Sequence, residues 1–313
     1  MSYNNNIVNK KHKYNKTTVY RNIFGTLMVL PPFIGFLFFT IAPMLTSLGI
    51  SFTELHSYRL EKAIFIGFEN YVNIFTDKEI HLLDSLFSTF LFSLTVPINL
   101  SISLYLANLM NKKNVKLKKL WVVILFLPQV CSTVASTMIW QWIFSEDYGL
   151  INSILYSLGL SKVKWMTVAN NFSFAILVIS IWQQGTNIVL LSSAFANLNI
   201  NIKESAMIDG ATERQIFWKI TFPQLTPTLF YLLTMNLIAA LQEMAIFNLI
   251  ASNPMFPGYR PLTLVNLIYT LAFSYTTSYG LGISCALSWV VAIFIYIITR
   301  LNFKLSDKWV SYD

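Results

Sequence analysis

Residues 203–225 read KESAMIDGATERQIFWKITFPQL, a charged, glycine-broken segment set between two long apolar runs. Its local pattern is helix, turn, helix. Asn201 followed by Glu204 has the spacing of a capping pair, in which a side-chain oxygen takes orphan N–H groups and an acid stands three positions on. A first helix from Ile202 to Asp209 is expected, about 12 Å long at 1.5 Å per residue. Gly210 supplies the positive φ that ends it. Thr212 and Gln215 form a second capping signature, and Ile216, Phe217 and Ile220 give the next helix an apolar face, with Pro223 limiting its extension. A short, stiff element of this kind has two readings. It is a capped connector lying on a membrane surface, or a knob whose Ala206, Met207 and Ile208, edged by Glu204, enter a groove on a partner.

The runs on either side decide between water and lipid as the solvent. The chain has 313 residues, a mean hydropathy of +0.56, 55% hydrophobic residues and 12% charged ones. So little charge suits a polytopic membrane protein better than a soluble domain. Six segments are long enough to cross a bilayer, near 22–49, 84–109, 121–144, 172–197, 224–250 and 279–300. The first is too long for the apolar core of a signal peptide and shows no small-residue cleavage site. Cys131 and Cys285 lie inside apolar runs with no paired spacing, so they read as small core residues, and no metal motif is present.

The net charge of +8 is explained by its placement. With the N-terminus inside, 16 of the 22 Lys and Arg residues fall in inner segments: the stretch before residue 22, the 110–120 and 199–223 connections, and the end of the chain. Six fall outside. The positive-inside rule then puts both termini and the opening stretch in the cytoplasm, and leaves no need for a nucleic-acid partner. The domains follow: a basic cytoplasmic segment 1–21, a six-helix membrane domain 22–300 with its polar loop at about 199–223, and a cytoplasmic tail 301–313. The outer segments carry amphipathic stretches, IGFENYVNIF at 66–75 and LVNLIYTLAF at 264–273, expected as short interfacial or partly inserted helices packed on the spans. Neither a tandem repeat nor an inverted pair of broken spans is visible, which disfavours a secondary transporter.

The order Glu204, Ser205, Ala206, then Asp209, Gly210, Ala211, then Phe217, Ile220, Pro223 and Pro227 resembles the EAA loop of the permease subunits of binding-protein-dependent ABC importers. It departs at Ser205, where the family usually has Ala, and at Phe222, where it usually has Leu. IGFENYVNIF, YGLINSILYSLGL at 148–160 with Trp165, SIWQQG at 180–185 and YGLGISCALS at 279–288 fall in the order of the sugar-importing branch. IASNP at 250–254 stands where that branch often has a Gly-Gly-Pro turn.

The resemblance implies a type I ABC importer permease fold, all-α with six transmembrane helices and a cytoplasmic coupling helix, in a bacterial cytoplasmic membrane. It implies that Glu204 contacts a basic residue of a separate ATPase, that Ala206 and Ile208 fill its cleft, and that Gly210 permits the turn. Ser205, Asp209 and Ala211 complete the loop. The implied partners are a second permease subunit in a heterodimer, two ATPase subunits, an extracytoplasmic solute-binding protein and membrane lipid. The chain has no Walker A run, so no cofactor is expected in it; ATP and Mg belong to the partner ATPase.

Polar groups inside spans mark the expected solute path. Asn236, Ala240, Glu243 and Phe247 fall at i, i+4, i+7 and i+11, one face of a continuous helix, while Gln183, Gln184 and Asn187 cluster at mid-depth of the preceding span, beside Trp182. Amides, one carboxylate and aromatic faces suit a sugar; the alternative is that these groups bond between helices. The expected cargo is a sugar or oligosaccharide, with a glycerophosphate-type or acidic-sugar solute as the second possibility. An integral membrane enzyme would need clustered His, Cys or carboxylates in the spans, and the spans hold no His and one clear carboxylate, Glu243.

Overall fold

The computed structural model describes residues 16–56, 59–112, 115–166, 169–251, 263–273 and 279–311. Residues 1–15 of the basic segment and 252–262, with Pro254, lie outside the described residues.

The described chain is helical apart from one two-stranded ribbon. α1 (Lys16–Phe36) runs through a π turn, Leu37–Ile41, into α2 (Ala42–Ser51). β1 (Thr53–Glu54) and β2 (Ile64–Phe65) pair antiparallel, Thr53 opposite Phe65, and lead into α3 (Glu69–Thr76). α4 (Leu82–Ser93) and α5 (Thr95–Met110) make one apolar rod. Then come α6 (Lys118–Val130), α7 (Thr133–Ile143), α8 (Leu150–Ser157), α9 (Ala169–Trp182) and α10 (Gly185–Ala196). The loop supplies α11 (Ile200–Ile208) and α12 (Glu213–Ile216); a second π turn, Phe217–Thr221, joins α12 to α13 (Phe222–Leu241). α14 (Ala245–Ala251), α15 (Leu264–Phe273) and α16 (Leu281–Ser306) follow.

Among the described residues four helices are long and apolar enough to cross a membrane, and six if each of two bent pairs is one span. The bends change the simple reading of those spans. α6 and α7 meet at 97° because Cys131 and Ser132 take extended backbone, ψ 142° and 137°, just after Pro128 has removed a donor from the last turn of α6. α9 and α10 bend by 45° at Gln183 and Gln184. The fifth run starts at Glu213 rather than near 224, and its regular helix stops at Leu241.

Pro223 does not limit the helix, contrary to the sequence reading. Both π turns end two residues before a proline, Pro43 and Pro223. A proline offers no N–H and its ring crowds the carbonyl four residues back, so a widened turn lets the rod pass through with its other bonds intact. The Phe222 N–H reaches Phe217 O, five residues back, and the helix continues.

Three apolar clusters organise the bundle. Leu191, Phe195, Leu225, Leu229, Val96 and Leu100 join α5, α10 and α13. Ile176, Ile179, Phe144, Ile246 and Phe247 join α7, α9 and α14. Leu267, Leu271, Leu287 and Ile74 join α3, α15 and α16. α16 fixes the two ends of the molecule. At its start the Gly282 N–H bonds Leu55 O at 3.2 Å, beside the β ribbon. Towards its other end Phe303 packs edge-on against Phe230 of α13, and beyond it the Ser311 N–H bonds Thr226 Oγ1 at 2.9 Å. The ribbon and the 199–223 loop therefore occupy opposite ends of a rod about 39 Å long.

Candidate functional site

The loop helix α11 is held at both ends. Asn199, not Asn201, caps its start: Asn199 Oδ1 accepts the Asn201 N–H at 3.0 Å. The helix begins two residues earlier than Ile202, and Glu204 sits on its surface instead of completing a cap. At the far end the Ala211 N–H bonds Ala206 O at 3.0 Å and the Gly210 N–H bonds Met207 O at 3.1 Å. With Gly210 at φ +83°, this is a Schellman turn, which closes the open carbonyls of α11. The Gln215 N–H then bonds Thr212 Oγ1 at 3.3 Å, and the Thr212 N–H bonds Gln215 Oε1 at 2.8 Å, a complete capping box that starts α12. No residue of the turn is left free to hinge.

The two halves of the loop differ in burial. Ile216 is buried and Phe217 packs on the α5–α10–α13 cluster, so α12 is rooted in the bundle. α11 has no buried residue. Ile208 is 86% exposed and Met207 is exposed beside it. Glu204, Ser205 and Asp209 are exposed, Ala206 and Ala211 are half-buried, and Glu204 has no hydrogen-bond or ion-pair partner among the described residues. An isoleucine so bare carries an apolar load of about 1.5–3 kcal/mol that burial against another surface would release.

Above the loop, the helices that flank it are tied by a polar seam. Asn187 of α10 and Asn236 of α13 exchange amide bonds at 3.2 and 3.1 Å. Asn187 Nδ2 also donates to Gln184 Oε1 at 2.6 Å, which accepts the Ser103 hydroxyl at 3.4 Å as well. Asn99 Nδ2 donates to Ser180 Oγ at 3.1 Å. At the bend, the Gln184 side-chain amide takes the Ser180 carbonyl at 2.7 Å. Close approach holds the bend as well: a Cβ on Gly185 would lie 2.8 Å from Leu125 O and 2.9 Å from Phe126 Cα of α6. The sequence reading did not single out Asn99, Ser103 or Ser180 as partners. The signal for Asn99 and Ser103 is a polar pair at i, i+4 in an apolar run, one face of α5; Ser180, on α9, stands at the same spacing from Gln184.

The expected polar face 236–240–243–247 is broken, because α13 ends before Glu243. Glu243 lies in the joint, half-buried, and its Oε1 accepts the Ile246 N–H at 3.0 Å, capping α14. Its carbonyl accepts the Thr263 hydroxyl at 2.7 Å. Phe247 turns away into the core, buried and edge-on to Phe92 at 5.1 Å. Gln183 is half-exposed and its side chain has no partner among the described residues; next to it Trp182 meets Trp140 edge-on at 5.7 Å. The structure thus separates the candidates. Asn187 and Phe247 are committed to packing, Asn236 is paired yet half-exposed, and Gln183 and Glu243 keep accessible polar atoms.

Comparisons with known proteins bear on this arrangement. Residues 99–310, two thirds of the chain, match the family described as binding-protein-dependent transport system inner membrane component. The probable ABC transporter permease protein YesP of Bacillus subtilis (strain 168) is 31% identical over 295 residues, covering 93% of each chain. The arabinooligosaccharides transport system permease protein AraP of the same organism is 29% identical, covering 90% of this chain and 88% of its own length. A crystal structure of a bacterial alginate ABC transporter, in complex with an alginate-pentasaccharide-bound periplasmic protein, superposes with a TM-score of 0.75 at 22% identity, covering 94% of this chain and 97% of the other.

Proposed function

This chain belongs to the family of inner membrane components of binding-protein-dependent transport systems, and from that premise we propose that it forms half of the translocation path of a bacterial ATP-driven importer of oligosaccharides. Its α11 is the coupling helix. The observation that carries the reading is that α11 is capped at both ends, has no buried residue and is tipped by Ile208, while α12 beyond the Gly210 turn is rooted in the bundle. Such an element transmits displacement and does not absorb it.

The cycle follows from the geometry. A separate ATPase receives Ile208, Met207 and Ala206 in a cleft, with Glu204 meeting a basic side chain at its edge; Ser205, Asp209, Gly210 and Ala211 hold the helix and its turn in shape. When the ATPase pair closes on ATP, α11 moves as a rigid piece. The continuous rod from α12 through the π turn carries that movement into α13, and the Asn187–Asn236 pair carries it across to α10. Such a rigid-body rearrangement would alternate the access of the path. ATP and Mg act in the partner subunits, and this chain performs no chemistry of its own. Both termini and the loop lie in the cytoplasm in this reading, a placement the Lys and Arg distribution supports. A second permease subunit completes the path, and an extracytoplasmic solute-binding protein delivers the cargo.

Gln183, Trp182 and Glu243 supply solute contacts, with Asn236, half-exposed while paired to Asn187, as a further one. An oligosaccharide cargo is supported by the arabinooligosaccharide permease among the relatives and by the presence of an amide, a carboxylate and an indole among the candidate residues. The test is ligand binding by the solute-binding protein of the same transport system, paired with uptake by the reconstituted complex. Binding of an oligosaccharide and its ATP-dependent uptake support the proposal. Tight binding only of a glycerophosphate or another unrelated solute overturns the cargo while leaving the coupling role intact.

A further inference from the structure

The β ribbon and α3, at the end of the molecule away from the coupling loop, carry a surface the transport cycle does not use. Leu60, Ile64, Phe65, Phe68, Val72 and Phe75 are all exposed, Phe65 by 77% and Phe68 by 70%. Along α3, Phe68, Val72 and Phe75 recur at i, i+4 and i+7, one helix face. Asn70 and Ile74, on the other face, are buried against α16 and its neighbours. The segment therefore has a fixed inner side and a bare apolar outer side.

Its depth is fixed too. Phe65 pairs with Thr53, two residues past the end of α2 at Ser51, and paired strands lie about 4.8 Å apart. Asn70 Nδ2 donates to Ser51 O at 2.9 Å and to Thr53 O at 2.8 Å, tying the start of α3 to the same point. The apolar rod that ends there, Ile23–Ser51, has 29 residues and its most apolar window buries nothing within the chain. At 1.5 Å per residue it is about 43 Å long, the thickness of a bilayer with its headgroups. Ser51 consequently sits at headgroup level, and Phe65 and Phe68 sit beside it. On the other side of α3 the chain re-enters through α4, whose Leu83 and Phe87 are again exposed.

We propose that the β ribbon and α3 form an interfacial anchor whose apolar side lies in the headgroup–acyl boundary of the leaflet at this end, continuous with the lipid-facing surface of the spans on either side. The inner, polar side, with Glu69 and Asn73, lines a cleft of about 160 Å³ shared with Tyr279 and Gly280. Between residues 52 and 80 the chain carries Arg59, Lys62 and Lys78 against Glu54, Glu61, Glu69, Asp77 and Glu79, a formal charge of −2. Attraction to anionic headgroups is not the source of binding; burial of apolar side chains is, so zwitterionic lipid suffices. This anchor holds the ends of the first two spans at one depth while the opposite end of the bundle is driven. It requires only that the chain spans the membrane, and stands apart from the choice of cargo.

The test is site-directed spin labelling of the full chain, with Cys131 and Cys285 changed to serine, in phosphatidylcholine nanodiscs. Cysteines placed singly at 68, 69, 72 and 75 carry the label; all four sites are exposed, and because Phe68 meets Phe52 edge-on at 5.2 Å, the labels at 72 and 75 read the face with packing least disturbed. The anchor predicts that labels at 68, 72 and 75 favour molecular oxygen over a water-soluble nickel chelate by about threefold or more relative to 69, with no partner protein present. Nickel access at 68 and 72 equal to that at 69 overturns the proposal. So does exclusion that arises only when the second membrane subunit or the solute-binding protein is added, since protein would then be the cover.

Discussion

Gly210 is the residue on which the lever turns. Its φ of +83° is open to glycine and strained for any residue with a Cβ, by about 1–2 kcal/mol. Proline fixes φ near −65° and also removes the N–H that closes on Met207 O, so Gly210→Pro opens the Schellman turn outright. Under the proposed coupling role Ile208 acts at the contact itself: Ile208→Ser is expected to weaken association with the ATPase about tenfold or more, the equivalent of about 1.4 kcal/mol or above, measured by titrating the purified subunits. A third residue-scale expectation concerns the end away from the loop, where the Tyr279 hydroxyl bonds Asp77. That bond, with the Glu79 N–H, holds the Asp77 carboxyl below its ordinary value of 3.8; burial first, then Asp77, pushes the Tyr279 phenol up to about 12. A lowered acid stabilises above its ordinary pKa and loses that contribution as pH falls through the lowered one; a raised phenol stabilises below 10.0 and loses it as pH rises through about 12. The difference in thermal stability between the native chain and Tyr279→Phe should therefore be flat from about pH 5 to 9 and shrink on both sides.

At the scale of elements, the seam between α10 and α13 is the joint that makes two helices move as one. Asn187→Leu alone takes two of the three side-chain bonds of Asn236, while Asn187→Leu with Asn236→Leu leaves neither amide of the pair stranded. A double-mutant cycle on thermal unfolding should give a coupling of about 0.5–2 kcal/mol, within the range of interhelical bonds in membranes. A coupling near zero would mean that the pair does not join the helices. Gly185→Ala is expected to destabilise by about 1–3 kcal/mol, because its Cβ would press on the α6 backbone. These elements also mark how far the sequence could be read. The Thr212–Gln215 box, the Gly210 turn and the two short outer helices α3 and α15 were legible, because caps, a positive φ and amphipathic spacing are local signals. The cap at Asn199 was missed because Asn199 and Asn201 are both competent caps, and only the chain path leading into the helix chooses between them. The breaks at Cys131 and Gln184 were missed because hydropathy is blind to direction: a bent apolar run and a straight one have the same composition. The face 236–247 failed because helical periodicity was carried past Leu241, where the regular helix of α13 stops.

For the whole molecule, the two ends have different duties. One end carries an exposed, capped helix, and the other carries a ribbon and helix pinned to the end of the first span. In the proposed cycle, force entering at Ile208 passes through the capped loop into α13, and the proposed lipid anchor at the opposite end gives the bundle something to move against. The central claim is that rigidity of the 199–215 loop converts ATP hydrolysis into transport. The most direct measurement is the number of ATP molecules hydrolysed per solute imported, in proteoliposomes holding the complete complex, for the native chain and for Gly210→Pro. The account predicts that the variant assembles and hydrolyses ATP while uptake falls at least about tenfold, in line with the lost turn. Uptake by Gly210→Pro at the native ratio of ATP to solute would contradict it.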